Sequence, residues 1–99
     1  MGNTRGLGWQ RTTVDRVIVA GPAILHRLLL LVSVTGGDVT LYEGQDPTSG
    51  RVIARCEAIA DETRVIEFGG LYCPRGIFVD IGSNVTEATV IYEPVEEVV

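Results

Sequence analysis

The chain has 99 residues, which suits one folding unit of about 100 residues and excludes a second domain. A hydrophobic fraction of 45% excludes a disordered chain, because enough apolar surface exists to offset the entropy of ordering the backbone. Thirteen carboxylates against eight cations leave a formal net charge of −5, which opposes general attraction to phosphate backbones and argues against a nucleic-acid binder.

Val, Ile and Thr together supply 31 of the 99 residues, a bias toward pleated surfaces where stiff, branched side chains pack well. In chain order, residues 1–12 (MGNTRGLGWQRT) hold three Gly with Asn, Thr and Gln and no periodicity, and read as a flexible arm. Thr13 to Ala20 reads as a first strand, ended by Gly21-Pro22. Ala23 to Val34 carries a helix-favouring Leu run, but Pro22 and Gly36-Gly37 bound it and its end alternates, so a strand is expected. Asp38 to Glu43 places Val39 and Leu41 on one face, and the Gly44 to Gly50 stretch supplies Gly, Asp, Pro and Ser for a surface loop. Arg51 to Ala58 puts Val52, Ala54, Cys56 and Ala58 on one face, with Ile53 anomalous on the polar side. Further strands are expected at 63–68, 77–81 and 87–93, aligning Ile66 with Phe68, Ile77 with Val79 and Ile81, and Ala88 with Val90 and Tyr92.

Seven or eight short strands separated by turn signals predict an all-β fold, an antiparallel β-sandwich or jelly-roll-like barrel. No gap holds the crossover helices a parallel sheet needs. The expected organisation is an arm at 1–12, a β domain at 13–94 and an acidic tail at 95–99. The N-terminus lacks the apolar core of a signal peptide, and the longest apolar run, Leu28 to Val32, falls far short of the roughly 20 residues of a membrane helix. No membrane partner is expected.

Candidate chemistry is sparse. The only histidine, His26, has apolar neighbours and no sequence partner for a triad or metal site, and reads as structural. Cys56 and Cys73 lack CxxC spacing and read as inert buried thiols. Asp38, Glu43 and Asp46 match no calcium-loop spacing, and the Asn84-Val85-Thr86 sequon reads as a turn. No enzyme activity, cofactor or metal is expected. The two ends are more informative. Arg5, Arg11 and Arg16 make the first stretch basic, while Glu93, Glu96 and Glu97 make the last acidic. Trp9, the only tryptophan, lies in the arm beside Leu7, and Trp and Arg dominate interface hot spots. These eight residues, Arg5, Leu7, Trp9, Arg11, Arg16, Glu93, Glu96 and Glu97, are the expected partner-binding set. The alternative for Trp9 is that it folds back to cap its own domain.

From Gly21 onward, the strings GPAILHRLLLLVSVTGGDVTLYEG, TSGRVIA, GLYCPRGIFVDIG and ATVIYEP resemble small all-β structural proteins of tailed bacteriophages. The match spans about residues 17 to 94 and departs at Cys73-Pro74-Arg75 and in the long Leu run. The resemblance implies a virion protein made in the host cytoplasm: a non-enzymatic decoration or cement protein binding the major capsid protein on the outside of the head, as a homo-oligomer with a trimer favoured. A tail, head-fibre or connector component is the nearest alternative, and a carbohydrate-binding β-sandwich module is the alternative from another class.

Overall fold

Eight strands and no helix make up the described residues, 8–32, 36–59, 63–82 and 84–95, of the computed structural model. The strands are β1 (Gly8–Thr12), β2 (Arg16–Val19), β3 (Ala23–Val32), β4 (Gly37–Glu43), β5 (Arg51–Ala58), β6 (Thr63–Cys73), β7 (Ile77–Ile81) and β8 (Val85–Pro94). They form two four-stranded antiparallel sheets, β1-β8-β3-β6 and β2-β7-β4-β5. The first with the last, the second with the seventh, the third with the sixth and the fourth with the fifth are all neighbours, a nested pairing that is the jelly-roll arrangement of a β-sandwich.

The core lies between the sheets and follows the alternation. From β3, Ala23, Leu25, Leu28 and Leu30 are fully buried; they meet Val39 and Leu41 of β4, Ile77 and Val79 of β7, and Ala88 and Val90 of β8. Burying a Leu, Ile or Val side chain contributes about 1.5–3 kcal/mol, which accounts for Leu25, Leu28 and Leu30, while Leu29 and Leu31 on the opposite face are half-buried. The interruption at His26 is a bulge in β3, where Leu25 and Arg27 face consecutive β8 residues, Tyr92 and Ile91.

Three differences from the sequence expectation have physical causes. Gly8–Thr12, expected within the flexible arm, is strand β1, in unbroken register with β8 from Gly8↔Tyr92 to Thr12↔Ala88. Backbone hydrogen bonding to a neighbouring strand orders it without hydrophobic alternation. Residues 1–7 lie outside the described residues, as do 96–99 of the expected tail; the remaining tail residue, Val95, donates its N–H to Pro22 O at 2.9 Å. Strand pairing among the described residues thus begins at residue 8.

The anomalous Ile53 marks a bulge: Leu41 pairs with Ala54 and Tyr42 with Val52, so Ile53 packs against the core while Val52 is turned out to solvent. The third difference is the length of β6. It continues through Gly69 and Gly70 to Cys73, because both glycines adopt positive φ (68° and 87°) and absorb a bulge opposite His26.

Candidate functional site

Two of the expected partner-binding residues stand on β1. Trp9 and Arg11 share its outward face, while Gly8, Gln10 and Thr12 turn toward the interior. The Trp9 side chain is 68% exposed, opposite Ile91 of β8. Its strand folds back onto the sandwich, while Trp9 itself stays largely in solvent. Arg11 Nε lies 3.0 Å from Glu87 Oε2 on β8.

Arg16, exposed at the start of β2, borders a hollow of about 220 Å³ shared with Arg11, Thr12, Thr13 and Val14. The Thr12 hydroxyl donates to Val14 O at 2.6 Å, and its oxygen accepts the Val14 N–H at 3.2 Å, fixing the turn between β1 and β2.

Glu93 is half-buried and engaged within its own chain. Its Oε1 lies 3.3 Å from His26 Nε2, so the histidine has a partner 67 residues away that no local spacing reveals. Arg5, Leu7, Glu96 and Glu97 lie outside the described residues. β1 and β8 are neighbours, and the Arg11–Glu87 contact joins them within one molecule through a glutamate outside the expected acidic set.

A second feature escaped the sequence reading: an open cleft of about 410 Å³ at one end of the sandwich, lined by Ala20, Pro22, Gln45, Asp46, Ser49 and Arg75 among others. Arg75 clasps Glu43 there. Its backbone N–H donates to Oε2 at 2.8 Å, and its guanidinium reaches Oε1 through Nη2 at 2.9 Å and Nε at 3.2 Å. Those hydrogen bonds hold the Glu43 carboxyl below its ordinary range against the opposing effect of burial.

Asp46 accepts the backbone N–H groups of Thr48 (2.8 Å) and Ser49 (2.7 Å) and the Ser49 hydroxyl (2.9 Å). The bonds from Ser49 do most to hold the Asp46 pKa below its ordinary value. A carboxylate so stabilised is a poor general base, and the Ser49 hydroxyl bound to it serves the turn. Glu43 and Asp46 are thus both committed to local bonds; among the described residues no group of three or more His, Cys, Asp or Glu is placed to hold a metal ion.

Both thiols are buried and free. Burial raises Cys56, and burial with the nearby Glu43 charge pushes Cys73 up to about 11, so neither forms an appreciable thiolate near neutral pH.

At the opposite end of β4, Asp38 meets Asp80 and Asp15. Asp15 Oδ1 accepts the Ile81 N–H at 2.7 Å, and Asp80 is raised first by burial and then by the charge of Asp15, with Asp38 adding to it. No helix among the described residues is long and apolar enough to cross a membrane. Comparison with known proteins returns no match: no family model, no curated protein and no solved structure is similar to the chain.

Proposed function

We propose that this chain is a non-enzymatic structural protein of a tailed-bacteriophage virion, a decoration or cement protein that binds the major capsid protein on the outside of the head and stabilises the shell. The observation that carries the reading is a jelly-roll body whose most exposed aromatic, Trp9, stands on an edge strand rather than in a cleft. A protein that works by adhesion needs a compact body and an exposed anchor at its rim, and Trp beside Arg is the composition of an interface hot spot. The jelly roll recurs in viral capsid domains, though fold alone does not fix function. The sequence resemblance to phage structural proteins points the same way.

Stabilisation would act by linkage: a ligand that binds only the assembled shell shifts the equilibrium toward that state. Quantitative mass spectrometry of purified virions from the source tests the reading. Copies of the same order as the major shell protein support decoration. A few copies per particle move the chain to the tail or connector, and absence from particles overturns a virion role.

A further inference from the structure

Among the described residues the two sheets have four edge strands, and an edge presents unpaired backbone N–H and C=O groups that invite another strand. Three of the four carry a device that blunts the edge. β2 is four residues long and bulges at Ile18, since Val17 and Val19 face consecutive β7 residues, Phe78 and Ile77. β5 bulges at Ile53 and lines its exposed positions with Arg51, Arg55 and Glu57. β6 bulges through its Gly69-Gly70 pair. β1, short and bearing Arg11, has no bulge: its five residues run in unbroken register with β8, and it carries the most exposed aromatic side chain of the described residues.

We infer that β1 pairs antiparallel with β1 of a second copy of this chain, across a two-fold axis at Gln10, joining two sheets into one of eight strands. The residue pattern of β1 is self-complementary in that register. Gln10 faces the partner's Gln10, and Trp9 faces the partner's Arg11, twice by symmetry. Because Trp9 and Arg11 lie on the same outward face, each indole receives a guanidinium across the strand boundary, a cation–π pair. Each Arg11 is held on that face by Glu87 of its own chain. On the other face the two Gln10 amides meet and can exchange hydrogen bonds. A two-fold contact is closed, so β1 is used up and no filament grows from it. The inference concerns the purified protein and stands whether or not the chain belongs to a virion.

Sedimentation of the purified chain tests it, with the single tryptophan as reporter. The expected species has twice the 10.7 kDa chain mass, and its Trp9 emission shifts on dilution into monomer. Trp9→Ala, a change at an exposed position, should weaken the dimer by about tenfold or more. Gln10→Cys should crosslink into a disulfide dimer under mild oxidation, because directly opposed antiparallel residues sit about 4.5–5.5 Å apart between Cα atoms, within disulfide reach. Val52→Cys, exposed on the bulged β5 edge, should not. A monomer at all concentrations up to the high micromolar range, a trimer, or a dimer indifferent to Trp9→Ala would overturn the inference. Equal crosslinking at residues 10 and 52 would do the same.

Discussion

The two ends of the β2-β7-β4-β5 sheet hold their loops by opposite electrostatic means. Where β4 finishes, Glu43 and Arg75 attract one another, and the Gly44 N–H adds a bond to Gly76 O at 2.9 Å. Where β4 begins, Asp38, Asp80 and Asp15 bring three acidic groups together, and the end is held by backbone donors: Gly82 N–H to Asp38 O at 2.8 Å and Ile81 N–H to the Asp15 side-chain Oδ1 at 2.7 Å. One end is tightened by ionisation and the other is strained by it. Acid should therefore act on them in opposite directions.

The largest expected effect comes from breaking the clasped end sterically. Gly76 has φ +113°, and a Cβ there would lie 2.4 Å from Val19 O, a backbone atom that cannot swing aside. Gly76→Val should cost about 2–4 kcal/mol in denaturant unfolding.

Next comes the pH response. The Glu43 carboxyl sits below its ordinary value of 4.5 because Arg75 hydrogen-bonds its charged form, so the unfolded chain takes up that proton first. Its stabilising contribution is complete above about pH 4.5 and is lost as the pH falls through the lower folded value. Asp80 behaves in reverse. Burial and its acidic neighbours hold it above its ordinary value of 3.8, so its contribution is complete below that value and is lost as the pH rises through the raised one.

Thermal melts across the acid range should show Glu43→Gln losing stability at neutral pH, by less than Gly76→Val, with a shallower acid limb. Asp80→Asn should gain a little stability at neutral pH and lose the gain on acidification. Parallel responses of the two variants would erase the contrast between the ends.

The smallest effect sharpens the chemistry beneath the clasp. Cys73 is raised to about 11 by burial and by the Glu43 charge, so a thiol reagent at pH 8 should leave it unlabelled in the native protein. Glu43→Gln removes the second cause. Peptide mass spectrometry should then find faster labelling at Cys73, with Cys56 unchanged.

Strands were legible wherever one face is buried. Residues 51–58 and 77–81 fall on the observed boundaries, and the Val39/Leu41 and Ala88/Val90 faces are core as the alternation implies. β1 was not legible, because on a sheet rim the large side chains, Trp9 and Arg11, point outward while Gly8 and Gln10 point in, the reverse of a core strand. Gly69-Gly70 reads as a chain break in sequence and acts as a bulge in space, since only a neighbouring strand reveals that pairing resumes beyond it.

The site residues divide in the same way. Exposure of Trp9 was one of two readings the sequence left open, whereas Arg75 on Glu43 and His26 on Glu93 join positions that meet only after the sheets close.

The nested pairing of the strands has a consequence for how this chain folds. Only β4 and β5 form a local hairpin; each outer pair, β3 with β6, β2 with β7 and β1 with β8, closes a longer loop than the one inside it. Loop closure costs entropy before it returns contacts, so folding belongs to the slow millisecond-to-second regime of β topologies. Among the described strands β1 closes the longest loop and has a partner on one side only. It should be the last strand to dock and the first whose amides exchange with solvent, unless a second strand arrives to hold it.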